Sequence, residues 1–245
     1  MIILFAPSEG KREGGKCLPL NRESLIFPDL FSKRLEVIAQ YEKVVHGGSD
    51  EELFELFGIK DPKEYIRYKQ GFSSVPTMKA IERYDGVAYD YLGYTQLSTK
   101  VQEYIDRDVI IFSNLFGPLR AGDCIPDYKL KQGSSIGSFV PDKHYKECFT
   151  AVLDEMIGDQ EILDLRAGFY DKFYMPKTKP TTLKFLKEGK VVSHWAKAYR
   201  GIVLREAAQH SIASIQELLA LNIEGLILHE IAETKKKKEI VYTIV

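Results

Sequence analysis

Cysteine is scarce in this chain: Cys17, Cys124 and Cys148 are the only three in 245 residues, and their spacing pairs none of them. That excludes a disulfide framework and fits a reducing, cytoplasmic setting. No apolar run approaches the roughly 20 residues a spanning helix needs, so no membrane partner is expected. The opening MIILFAPSEG holds four apolar residues after Met1 and no basic stretch before them, too little for a secretory leader. Excess charge is missing as well, since 34 Lys and Arg against 35 Asp and Glu leave a net −1. Global attraction to nucleic acid is thereby excluded, and any such role must rest on a local patch. His144 and Cys148 stand at half a ligand spacing with no second pair, so neither a metal nor a cofactor is expected. A Walker loop, a Gly-rich dinucleotide fingerprint and a convincing Ser-His-Asp order are likewise absent. With no repeat and no low-complexity linker, residues 1–245 are expected to form a single domain.

What is present is an ordinary globular mixture, 44% hydrophobic and 28% charged. Ile2–Phe5 reads as a buried strand that ends in Ala6-Pro7-Ser8-Glu9-Gly10. Leu30–Val45 has helical spacing, with Gly47-Gly48 as a left-handed stop. Ser49–Glu52 has capping-box spacing ahead of a helix through Phe57, and Asp61-Pro62 opens another. Met78–Arg83 is expected to be a helical turn or two, whereas Asp85–Tyr94 has no clear type. Further helices are expected at Gln96–Asp106, Asp142–Ile157, Ala196–Gln209 and Ile215–Leu221. Strands are expected at Val109–Phe112, Ile162–Leu165, Leu226–Ile231 and Glu239–Val245, with a hairpin joining Thr182–Leu186 to Lys190–Trp195. Strands linked irregularly by helices and hairpins predict an α+β fold, a mixed β-sheet flanked by helices.

The densest set of committed polar groups is Ser113–Gly133, which opens directly from the Val109–Phe112 strand. Arg120, Asp123, Asp127, Tyr128, Lys129 and Lys131 fall within twelve residues there. Arg offers a fork and Lys a mobile point charge for phosphate or carboxylate. Asp123 would orient Arg120 or act as a base, unless the two merely pin a turn; Tyr128 would stack on a base or donate a hydrogen bond. Ser8 and Lys11 follow the first strand, where a polar turn and a phosphate cradle are equally compatible with the residues. On the Ala196–Gln209 helix, Lys197 and Arg200 share a face near the start and Arg205 follows on a shifted one. Cations at a helix start conflict with the dipole unless an anion binds there. Asp164–Tyr170 would bring Arg166 and Tyr170 to the same rim, Tyr170 as a second stacking ring. Cys17 beside Lys16 and Cys124 near Arg120 raise the idea of redox-sensing thiols, though spacing supplies no resolving pair.

Taken in order, Ile2–Lys11, Tyr84-Asp-Gly-Val-Ala-Tyr89, Ser113–Gly133, Asp164–Tyr170 and Lys197-Ala-Tyr-Arg-Gly201 with Arg205 resemble the YaaA peroxide-stress resistance family across nearly the whole chain. The resemblance implies a cytoplasmic protein that limits hydrogen peroxide damage, partly by keeping free iron low. It also implies a single α+β domain whose positively charged cleft binds DNA, duplex DNA included. On that view Lys11, Arg120, Lys129, Lys131, Arg166, Lys197, Arg200 and Arg205 meet phosphates, and Tyr128 and Tyr170 stack or position. The residues leave a second reading open: an enzyme on a small phosphorylated or nucleobase-like ligand, with Asp123, Asp127 and Tyr128 as acid–base groups. The oligomeric state is open.

Overall fold

The computed structural model describes residues 1–192 and 194–245. The chain starts with β1 (Ile2–Phe5) and turns through a short β2 (Gly10–Lys11). Helix α1 (Phe31–Gly47) follows because Val37, Ile38, Tyr41 and Val45 recur on one face and bury it. Its last turn absorbs Gly47, and Gly48 caps it in an extended rather than a left-handed conformation. Helix α2 (Asp50–Phe57) opens with both bonds of the expected capping box: Glu52 N–H donates to Ser49 Oγ (3.3 Å) and Ser49 N–H to Glu52 Oε2 (2.8 Å). The Asp61-Pro62 start gives a tight 3₁₀ helix, Pro62–Tyr68, rather than an α-helix.

Met78–Arg83 divides into β3 (Met78–Lys79) and α3 (Ala80–Arg83), before β4 (Tyr84–Asp85). Asp85–Tyr94 resolves into α4 (Val87–Leu92), bounded by left-handed Gly93. Then come α5 (Thr99–Asp108), β5 (Val109–Ser113), β6 (Gly117–Arg120), β7 (Cys124–Ile125), α6 (Pro141–Ile157) and β8 (Ile162–Asp164). The second arm of the expected hairpin is short: β9 (Thr181–Lys187) pairs with β10 (Lys190–Val191) only, and Trp195 already belongs to α7 (His194–Gln209). Ser193, within that expected arm, lies outside the described residues. Helix α8 (Ile215–Ala220) precedes β11 (Leu226–Glu233) and β12 (Lys238–Ile244).

Among the described residues one eight-stranded sheet organises the fold, in the order β11-β12-β9-β8-β1-β5-β6 with β10 on β9. Strands β12, β9, β8, β1 and β5 run parallel, while β6, β10 and β11 are antiparallel to their neighbours. Every residue of β1, β5 and β8 is buried, as central parallel strands covered on both faces require. The expected mixed sheet flanked by helices is therefore present, in a single α/β domain. No helix among the described residues is long and apolar enough to cross a membrane.

The order of connections matters more than the count of strands. From β1 the chain moves to β5 on one side; from β8, on β1's other side, it moves away to β9. Loops leaving β1 and β8 thus diverge, which opens a crevice beyond the carboxyl ends of these two strands, where ligands of open α/β sheets bind.

Candidate functional site

Two groups of side chains stand on the loops that leave β8 and β1. The first begins where β8 ends. Asp164 and Arg166 lock together there: Arg166 Nε donates to Asp164 Oδ1 (2.9 Å) and Nη2 to Oδ2 (2.8 Å), while Nη1 donates to the carbonyls of Tyr170 (3.2 Å) and Tyr174 (3.0 Å). Its guanidinium also covers the Phe112 ring at 4.6 Å. With its donors used and its side chain only 1% exposed, Arg166 braces the loop rather than waiting for a phosphate.

That brace forms one end of a groove of about 1030 Å³ between β8–β9, α7 and the β11–β12 turn. Leu183, Phe185, Val192, Ala196 and Met175 line its apolar part. Lys184, Lys197, Arg200, Lys235 and Lys236 also line it, and among the described residues none of their side chains makes a hydrogen bond or ion pair. The carboxylates present are engaged elsewhere: Asp164 and Asp171 with Arg166, and Glu239 with Lys237. Arg200 is the most enclosed of the free cations; burial lowers its pKa and Asp164 partly offsets this. Among the described residues, then, the groove holds five cationic side chains that no carboxylate bonds.

The second group lies after β1. Lys11 pairs with Tyr84 across β2–β4. Its ammonium sits 4.2 Å from the Tyr128 ring centroid and 5.3 Å from that of Tyr84. The Tyr128 and Tyr84 hydroxyls bond to each other (2.9 Å), and Tyr128 bonds to Ser113 Oγ (2.8 Å), which accepts the Leu115 and Phe116 N–H groups. Asp127 pairs with Arg67 through Oδ2 at 2.5 Å, leaving Oδ1 buried without a partner. Lys129 stands beside Glu9, 3.8 Å from its carboxylate.

Both tyrosines expected to stack are interior. Tyr128 is 1% exposed and Tyr170 4%, so neither offers a face to a base. The cause is tertiary: Phe116 packs edge-on against Tyr128, and Phe169 against Tyr170. Asp123 is not paired with the Arg120 guanidinium. Its Oδ2 accepts the N–H groups of Arg120 (2.9 Å) and Ile26 (2.8 Å), so it closes a turn and ties a distant loop to it. Burial pushes its carboxyl up to about 6 despite these bonds.

Arg120 is exposed on edge strand β6, opposite Ile110, three positions back from the carboxyl end of β5. Lys131 lays its stem against Gly58, and Arg205 reaches Gly93 at the end of α4. Of the cations expected to converge, Lys197 and Arg200 share the groove with the braced Arg166, Lys11 and Lys129 form the aromatic cluster, and Arg120, Lys131 and Arg205 join neither. Sequence reasoning missed Lys184, Lys235 and Lys236 as groove residues; the parallel pairing of β9 with β12 sets the β11–β12 turn beside the start of β9, and no local signal in the sequence marks it. It also missed Arg83, buried and bonded to the carbonyls of Arg12, Gly14 (2.6 Å) and Ile125, which holds the loop that carries Lys11.

Cys124 and Cys148 are not activated, since burial raises both thiols. Burial drives Cys124 up to about 12, and Cys17 beside it adds to the rise.

A single-domain α/β protein with a mixed sheet and a groove beside the end of β8 is the class these features define. The chain belongs to the peroxide stress protein YaaA family, whose model matches residues 1–232. It is 49% identical over 244 residues to an uncharacterized protein of Campylobacter jejuni, covering 100% of this chain and 99% of that one. UPF0246 proteins of Streptomyces coelicolor (30% over 213 residues, 84% and 82% covered) and Corynebacterium efficiens (34% over 216 residues, 85% of each) are also similar.

Proposed function

We propose that this protein acts in the cytoplasmic response to peroxide by binding DNA along the groove beside α7, and that it helps limit oxidative damage while free iron is lowered. The observation carrying the DNA reading is the set of unpaired cations, Lys184, Lys197, Arg200, Lys235 and Lys236, around one groove whose carboxylates are already engaged. A polyanion supplies the missing countercharge, and it releases condensed counterions as it does so. The family description supports the peroxide-stress setting.

A second reading is favoured by the groove's apolar wall and by its volume of about 1030 Å³, near the upper end for a small-molecule site. There the cations would anchor one small phosphorylated or nucleobase-like ligand, and an enzyme could follow from it.

Anisotropy of a labelled DNA duplex separates the two. Polyanion binding predicts a log K against log salt slope of about −0.9 for each phosphate neutralised, so roughly −4 for most of these cations. A flat salt response, or saturable binding of a mononucleotide with no affinity for duplex, overturns the DNA reading in favour of the second. For iron, cells lacking the protein should hold more chelatable iron under peroxide than cells carrying it; equal pools remove that part.

A further inference from the structure

The Lys11 amine differs from every other lysine in its surroundings. It is half-buried between two phenol rings and donates only to the carbonyls of Ser8 (3.3 Å) and Glu9 (3.4 Å). The carboxylates nearby are held by other cations, Glu9 by Lys129 and Asp127 by Arg67. Lys11 is itself partly exposed and its amine bonds the carbonyl of exposed Glu9, so the amine lies near the surface on the loop that follows β1. Asp127 Oδ1, buried and unpartnered, marks the same place as unsatisfied.

We propose that Lys11 is a nucleophilic amine that condenses with the carbonyl group of a small aldehyde or ketone. This stands independently of whether the groove binds DNA. The nitrogen lone pair attacks the carbonyl carbon and forms a C–N bond. The resulting carbinolamine loses its hydroxyl together with a nitrogen-bound proton as water, leaving a C=N imine; nothing is oxidised or reduced. Such chemistry needs an amine that is neutral near neutral pH, and an apolar setting next to another cation is the arrangement that produces one. Burial is the main influence here, bringing Lys11 down to about 7; Lys129 and Arg67 push the same way, and Asp127 and Glu9 oppose them. Tyr84 and Tyr128 face the ammonium as neutral rings, since burial raises both phenols above their usual range. The Tyr84–Tyr128–Ser113 chain of hydroxyls fixes those rings beneath the nitrogen.

The test is made on the intact wild-type protein with pyridoxal 5′-phosphate as the carbonyl probe, followed by borohydride reduction and peptide mass mapping. Lys11 should be labelled about tenfold faster than exposed Lys235 or Lys236 near neutral pH, because an ordinary lysine is almost wholly protonated there. Its rate should rise through a midpoint near pH 7. Lys11→Met should lose the fast phase alone, and Tyr128→Phe, which keeps the ring, should retain it. Labelling of Lys11 no faster than of Lys235, or a midpoint above about pH 9, overturns the proposal.

Discussion

Gly201 of α7 lies directly against the carbonyl of Ala88 in α4: a Cβ built on Gly201 would stand 2.0 Å from that oxygen. The two helices meet backbone to backbone at this point, and the contact seats the turn of α7 that carries Lys197 and Arg200 beside the groove. Any side chain at Gly201 must push the helices apart. Gly201→Ala should therefore cost about 3 kcal/mol as an overpacked contact. For a chain of this size that lowers the Tm by roughly 6–12 °C. Thermal unfolding followed by circular dichroism checks it; a Tm within about 1 °C of wild type would mean the crossing yields freely.

Asp123 gives a pH prediction whose sign runs opposite to the common carboxylate case. Its folded pKa is raised, to about 6 from a usual 3.8, so between those values the native state holds more protons than the unfolded chain. Stability should fall as pH rises through that window, by about 3 kcal/mol. Asp123→Asn keeps an oxygen to accept from Ile26 and Arg120 yet cannot ionise. It should flatten that part of the profile and match or exceed wild type at neutral pH. Asp123→Ala removes both bonds and should cost about 2–4 kcal/mol below the window and less above it, where wild type has lost the stability held by its protonated carboxyl. Urea midpoints measured across the window decide it, and a wild-type profile that climbs with pH there would refute the assignment.

Local rules made much of the fold readable. Val109–Phe112 is a run of apolar residues between polar neighbours, and it became a buried central strand. Ser49 and Glu52 stand at capping distance, and both bonds formed. The failures are non-local. Met78-Lys79 is strand because Ile125 and Cys124 lie across from it, more than forty residues later. That Lys197 and Arg200 lack a carboxylate partner was legible, because none stands at helical spacing from either. Arg166 was misleading for the opposite reason: Asp164, two residues away, takes its fork. Tyr128 and Tyr170 read as surface rings because burial depends on phenylalanines packed in the finished fold. The setting of Lys11 was hidden, since it arises from pairing with Tyr84 and from the later Tyr128.

Thiol sensing by a Cys17–Cys124 pair can be tested against thiol chemistry. Cys17 bonds to Thr77 on one side of the Thr77–Lys79 segment, and Cys124 pairs with Lys79 on its other side. The two thiols lie within hydrogen-bond reach of each other, so the obstacle to a disulfide is not distance. Either route to one needs the Cys124 thiolate, which burial and Cys17 both disfavour. Peroxide treatment followed by non-reducing peptide mapping should show no Cys17–Cys124 linkage. Cys124, pushed up to about 12, should alkylate more slowly than a free cysteine at neutral pH. A linked peptide appearing on the timescale of peroxide exposure would defeat this prediction.

Arg200 and Arg120 provide the sharpest contrast for the groove, because both are arginines of the segments singled out in the sequence and they occupy different places. Arg200 is half-buried in the groove without a bonded partner, whereas Arg120 is exposed on the edge strand β6. Removing a phosphate contact lowers the salt slope by about one and weakens binding uniformly across sequences. Arg200→Ala should therefore reduce duplex affinity about tenfold and the slope by about one. Arg120→Ala, and Arg205→Ala beside Gly93, should each change affinity by less than about twofold. Anisotropy titrations at three salt concentrations distinguish these outcomes. Equal losses at all three positions would mean that binding follows net charge and not the groove, since only Arg200 is placed to lose a specific partner.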